Sequence, residues 1–126
     1  MEQTPAHTRV FVVDDEANIA SSLATILRIH GFDARAFTEP LAALSAARFE
    51  TPDLLISDVI MPVLSGIDLA IQMQRNYPKC RVLLFSGQAG NSDMLQAARD
   101  DGHNFELLSK PVHPKVLLDM IKKVST

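Results

Sequence analysis

The sequence predicts an α/β fold, a doubly wound five-stranded parallel sheet with helices on both faces. Three observations predict it. Short runs rich in Val, Ile, Leu and Phe recur along the chain, and segments with helical spacing separate them. Continuous apolar runs of about 4–8 residues fit strands buried on both faces, and alternation of such strands with helices fits a parallel sheet joined by right-handed crossovers. At 126 residues and 47% hydrophobic composition, the chain can also build one substantial core.

The elements follow in order. Arg9 to Val13 is the first strand. Ile19, Leu23, Ile26, Leu27 and His30 form one helical stripe, which Gly31 ends as a C′ glycine. Asp33 to Phe37 alternates and fits an edge strand. Thr38, with Pro40 just after it, opens an alanine-rich second helix through Arg48, because Pro is tolerated in a first turn. Asp53 to Ser57 is the third strand, and Ile67, Ala70, Ile71 and Gln74 mark a third helix ended by Pro78. Arg81 to Phe85 is the fourth strand. The fourth helix, Ser92 to Asp101, has only Met94 and Leu95 as large apolar residues and is flanked by Gly87, Gly90 and Gly102, so it is expected to be the loosest element. Phe105 to Leu108 is the fifth strand. Val116, Leu117, Met120, Ile121 and Val124 mark the fifth helix.

Residues 1–8 read as a polar N-terminal segment and residues 9–126 as the domain. The N-terminal residues lack the apolar stretch of a secretory signal. No uncharged apolar run approaches the roughly 18 residues of a membrane span, and Val59 to Leu64 is broken by Pro62. Cys80 is the only cysteine, so neither an intrachain disulfide nor a cysteine zinc site can form, and a reducing cytoplasm fits best. Nothing near Cys80 in sequence would activate it. His7, His30, His103 and His113 show no metal-ligand spacing. The net charge is −3 and Lys122-Lys123 is the only adjacent basic pair, which argues against direct nucleic-acid binding.

In a doubly wound sheet the ligand crevice lies beyond the carboxyl ends of the strands. Strand one ends in Asp14 and Asp15, strand three in Ser57 and Asp58, strand four in Ser86 and Gly87, and strand five in Ser109, Lys110 and Pro111. Three carboxylates meeting there repel, each pair at about 4 Å by about 4 kcal/mol at an effective dielectric of about 20. Lys110 supplies one compensating charge and a divalent ion would supply two. An all-oxygen site with few protein carboxylates suits Mg²⁺, which keeps several waters. Such a site can bind and neutralise a phosphoryl group, and an aspartate can act as its nucleophile. Taken singly, Asp14 or Asp15 would read as a helix cap, Asp58 and Ser86 as turn residues, and Lys110 as a solvated loop lysine. Their clustering at one crevice is what points to a site.

Phe11-Val12-Val13-Asp14-Asp15-Glu16, Asp58-Val59-Ile60-Met61-Pro62 through Gly66, Ser86-Gly87 and Lys110-Pro111 stand in order, each at its own strand end. In these residues, and along nearly its whole length, the chain resembles the receiver domain of two-component response regulators, the CheY-like group. The resemblance implies the flavodoxin-like strand order 2-1-3-4-5, and it implies that Asp58 is phosphorylated and that Asp15 ligates Mg²⁺ directly. Asp14 would help largely through water, and the main-chain carbonyl of Ile60 would be a further ligand. Lys110 would pair with phosphoryl oxygens, Ser86 would swing in to hydrogen-bond one of them, and Pro111 would follow a cis peptide bond. The donor would be a sensor histidine kinase or phosphotransfer protein. Output would pass to a downstream protein partner, since the chain ends just after helix five, and a phosphorylation-dependent dimer would also fit. Such a switch catalyses only its own phosphorylation and dephosphorylation.

The pattern departs from the family in the fifth strand. Seven residues separate Gly102 from Lys110, one more than is common, and His103 stands where a small residue is usual. The place of the switching aromatic is taken by Leu107. Phe105 is one step away on the same face of a strand and could stand in for it in part; without that, coupling of Ser86 to the surface of helix four, strand five and helix five is open. Three rivals remain at this point: a degenerate receiver acting as a phosphorylation-independent docking module, a small phosphohydrolase, and a flavodoxin-like cofactor binder. The intact Asp14, Asp15, Asp58 and Lys110 set speaks against the first, and Asp58-Val59-Ile60 lacks the second carboxylate the hydrolase needs. Three acidic groups would repel the phosphate of the third unless a metal intervened.

Overall fold

The computed structural model describes residues 8–87 and 92–125. The polar segment expected at residues 1–8, apart from Thr8, and Gly90 lie outside these. Five strands and five helices alternate: β1 (Arg9–Val13), α1 (Ala17–Ile29), β2 (Asp33–Phe37), α2 (Pro40–Ala47), β3 (Leu54–Asp58), α3 (Gly66–Asn76), β4 (Arg81–Ser86), α4 (Ser92–Asp100), β5 (Glu106–Ser109) and α5 (Pro114–Ser125). The strands form one parallel sheet in the order β2-β1-β3-β4-β5, the order that the resemblance implies.

Alternation along each strand splits the core in two. Phe11, Val13, Leu55, Val59, Val82 and Leu84 face α2, α3 and α4, where they meet Ala43, Ala47, Ile67, Ala70, Met73 and Leu95. Val10, Val12, Leu54, Ile56, Leu83 and Phe85 face α1 and α5, against Ala20, Leu23, Leu27, Leu117 and Ile121. Burial on both faces is why the strands read as unbroken apolar runs. β2 pairs only with β1 and its outer residues are exposed, which accounts for its alternating sequence.

Helix ends follow local chemistry. After α1 and α4 the chain turns through Gly31 and Gly102 at φ 92° and 91°. Phe32 N–H reaches Leu27 O at 3.0 Å and His103 N–H reaches Ala98 O at 2.8 Å, the crossed bonding that satisfies last-turn carbonyls and needs a residue tolerant of positive φ. β5 starts one residue later than expected, and Phe105, just before it, is buried in the core with Leu95 and Ala98. His103 stacks on it, with centroids 6.1 Å apart and planes at 11°.

The β3–α3 connection carries one backbone anomaly. Val63 has φ 74° and is 84% exposed, with Leu64 N–H donating to Pro62 O at 2.8 Å across it. This is a tight three-residue turn of the strained hand, and a β-branched residue is a poor fit to it. Relief of about 1–3 kcal/mol of strain, partly offset by the extra unfolded-state freedom of glycine, leads to a net stabilisation by Val63→Gly of about 1 kcal/mol. Denaturant unfolding checks this, and a variant no more stable than the parent would contradict it.

Candidate functional site

The four buried polar or charged side chains among the described residues are Asp14, Ser57, Asp58 and Ser86. All lie at the carboxyl ends of β1, β3 and β4, around the point where the strand order reverses. Burial of polar groups is costly unless they are paired, so their concentration at one end of an otherwise apolar sheet marks the site.

β1 delivers Asp14 to the crevice wholly buried. Its Oδ1 accepts the Glu16 N–H at 2.9 Å, stitching the turn into α1, while the N-cap residue Glu16 has no side-chain capping bond of its own. A helix-start role thus accounts for Asp14 in part and leaves Asp15 unexplained. Asp15 is exposed. β3 delivers Asp58, and carboxylate oxygens of Asp14, Asp15 and Asp58 lie within 4.8 Å of one another. The loop after β5 brings Lys110 across the crevice. Its Nζ stands 3.1 Å from Asp14 Oδ2 and 3.2 Å from Asp58 Oδ2, and 5.0 Å above the centre of the Phe85 ring. A hard, all-oxygen donor set of this size fits a divalent cation such as Mg²⁺.

The charges alter one another. Burial pushes the Asp58 carboxyl above its ordinary value of 3.8, and the charge of Asp14 acts in the same direction. Lys110 and the Val59 backbone lower it without cancelling the rise. Burial alone would lower the Lys110 ammonium, but its hydrogen bond and attraction to Asp14, with Asp58 adding to both, carry it above 10.5. Outside the crevice, burial pushes the Cys80 thiol up to about 12, in keeping with its expected inertness.

Other expected residues fall as follows. Ser86 ends β4 buried, and its carbonyl accepts the Lys110 N–H at 2.9 Å, which ties the two loops together. The Lys110–Pro111 peptide is cis. The Ile60 side chain is half exposed in the loop that follows Asp58. Phe105, by contrast, is buried beneath α4 while Leu107 is 38% exposed, so the two do not present equivalent surfaces. Three features went unread in the sequence. Phe85 forms the apolar floor beneath Lys110. Ser57 bonds the Asp58 backbone, and its one signal was a hydroxyl inside an apolar strand. Gly66, the first residue of α3, lies so close to the Asp58 carbonyl that an added Cβ would overlap it.

The sheet order, the acidic cluster at the reversal point and the lysine opposite define a phosphotransfer-type switch fold rather than a cofactor binder. The chain belongs to the response regulator receiver domain family, which it matches over residues 10–122. It is 32% identical over 124 residues to the transcriptional regulatory protein CreB of Escherichia coli, covering 93% of this chain and 53% of that protein. It is 28% identical over 114 residues to the DNA-binding response regulator MtrA of Mycobacterium tuberculosis, covering 90% of this chain and 49% of that one. The chain thus spans about half the length of these curated relatives. Two solved structures are similar over nearly their whole length. A receiver domain protein of Clostridium thermocellum superposes with a TM-score of 0.81 at 28% identity, covering 93% of each chain. The chemotaxis protein CheY4 of Vibrio cholerae superposes with a TM-score of 0.81 at 28% identity, covering 94% of this chain and 98% of that one. Receiver domains typically bind Mg²⁺. Among the described residues no helix is long and apolar enough to cross a membrane.

Because Asp58 sits above 3.8 in the fold, its ionised form opposes folding at pH values above that raised value. Below 3.8 the folded and unfolded chains are protonated alike and the penalty is gone. Asp58→Asn should therefore stabilise the metal-free protein at neutral pH, with the gain shrinking as pH falls through the raised value toward 3.8. Lys110 has the opposite sign. Its stabilisation is complete below 10.5 and is lost as pH rises through its raised value. Denaturant unfolding across a pH series tests both, and an Asp58→Asn gain that grew on acidification would contradict the assignment.

Proposed function

We propose that this domain is a Mg²⁺-dependent phosphoacceptor in which Asp58 takes the phosphoryl group. The observation that carries the reading is the position of Lys110 Nζ, 3.1 and 3.2 Å from carboxylates of two different strands that lie within 4.8 Å of a third. Asp58 is the acceptor favoured by access. Lys110 engages Asp14 and Asp58 alike, but Asp14 is wholly buried and also bound to the Glu16 N–H, Asp15 lies out in solvent, and Asp58 lines the crevice with 11% of its side chain open.

Asp14, Asp15 and Asp58, with the Ile60 carbonyl, would hold Mg²⁺, which supplies charge neutralisation and a template for the phosphoryl oxygens. An Asp58 carboxylate oxygen attacks phosphorus, a new O–P bond forms, and the N–P bond of a donor phosphohistidine breaks, returning neutral imidazole once it takes a proton. Lys110 follows the phosphoryl oxygens as charge builds, and the Ser86 hydroxyl contributes a hydrogen bond to one of them. Phosphorylation adds about −1.5 to −2 charges, so the contacts of Lys110 and Ser86 must rearrange. Ser86 and α4 are joined by a short segment, and the least costly adjustment is a shift of α4 and β5 between two states. The domain would act in the cytoplasm, receive its phosphoryl group from a sensor histidine kinase or phosphotransfer protein, and signal through a protein partner or a phosphorylation-dependent dimer. It would catalyse only its own phosphorylation and dephosphorylation.

Incubation with acetyl phosphate should give a single phosphoryl adduct by intact mass in the presence of Mg²⁺, and none without the metal or in Asp58→Ala. An adduct independent of either would remove the assignment, and none at all would favour a docking module. With the phosphoryl mimic beryllofluoride and Mg²⁺, amide hydrogen exchange across residues 92–109 should change. Equal protection in both states would count against the coupling.

A further inference from the structure

Ser57 occupies a position where the core would favour an apolar residue. It is wholly buried and alternates with Leu55 and Val59, which both face α3. A buried hydroxyl costs stability unless it is hydrogen-bonded, and here the bond it makes is to the acceptor strand itself. Ser57 Oγ donates to the main-chain carbonyl of Asp58 at 2.9 Å. The next residues are held as well. Val59 N–H donates to Phe85 O at 3.1 Å, and Gly66 N–H donates to Val59 O at 2.7 Å. Gly66 presses so closely on the Asp58 carbonyl that no larger residue would fit. The main chain beneath the Asp58 carboxylate is thus gripped from its own strand, from β4 and from the start of α3.

We propose that Ser57 is a positioning residue for phosphoryl acceptance, its hydroxyl fixing the Asp58–Val59 peptide so that the carboxylate stays aligned with Lys110 and an incoming phosphorus. The proposal rests on Asp58 being the phosphoacceptor. Ser57 lies on the α3 side of the sheet and acts only through Asp58. Holding the peptide that follows Asp58 restrains the position of the Asp58 Cα, from which the carboxylate projects toward Lys110. Transfer chemistry is sensitive to such errors, since a misplacement of about 1 Å can cost about 100-fold in rate.

Initial rates of Asp58 phosphorylation by acetyl phosphate at saturating Mg²⁺ and donor, well below the melting temperature, separate this role from simple packing. They are compared for the parent, Ser57→Ala and Ser57→Cys, with thermal melting measured alongside. Ser57→Ala is expected to slow phosphorylation roughly tenfold or more while remaining folded. Ser57→Cys fills the same space but donates weakly, and should fall between the two. A Ser57→Ala rate within about twofold of the parent overturns the proposal, as does a Ser57→Cys rate within about twofold of it, since volume alone would then account for the residue. If Ser57→Ala does not fold, the Ser57→Cys rate decides by the same criterion. A parent protein that takes no Mg²⁺-dependent adduct instead removes the phosphoacceptor reading itself, a result distinct from both.

Discussion

Three carboxylates with oxygens within 4.8 Å of one another cannot share a crevice unless positive charge shares it with them. Lys110 meets that need in part, bridging Asp14 and Asp58 at 3.1 and 3.2 Å, while burial first and the Asp14 charge second still hold the Asp58 carboxyl above its ordinary value. One ammonium does not neutralise three acids. The site is therefore an arrangement under electrostatic load, and the rest of the fold can be understood as what holds it in place. Central strands with fully apolar interiors keep Asp14 and Asp58 from moving apart. The Phe85 ring lies beneath the lysine ammonium, whose hydrogen-bonding side faces the acids.

The acceptor loop shows how closely the backbone is specified. A glycine opens α3 because the Asp58 carbonyl occupies the space a side chain would need. Ser65 caps the same helix by accepting the Asp68 N–H at 3.1 Å, so the helix start is fixed by its own chemistry as well as by contact with β3. Between these anchors the chain passes through the strained turn at Val63. Strain in a connection next to a charged crevice persists only where the flanking structure over-determines it, and here β3 and α3 do.

Much of this was legible in the residues. The fold followed from apolar runs separated by helical stripes, and the site followed from acids and a lysine at strand ends, because both depend on residue type at a spacing. What stayed hidden depends on distance between elements. That Lys110 bridges two strands, that Phe85 lies beneath it, and that Gly66 abuts Asp58 are facts of packing that no single segment encodes. Ser57 was visible as a hydroxyl in an apolar strand, yet its bond to the following carbonyl was not. The register of β5 was missed by one residue for a related reason. The stretch from Gly102 to Phe105 reads as the lead into a strand, whereas the ladder begins at Glu106 and Phe105 packs in the core with Leu95 and Ala98.

The division of the core into two sheets of side chains, one shared with α1 and α5 and the other with α2, α3 and α4, has a consequence for how the domain can change over time. Residues on opposite faces of β1, β3 and β4 do not touch, so replacements on one side leave the other's packing alone and their effects should sum. A lineage could thus remodel either outer surface for a new associate at little risk to the opposite one, while the strand tips stay bound to a single chemistry.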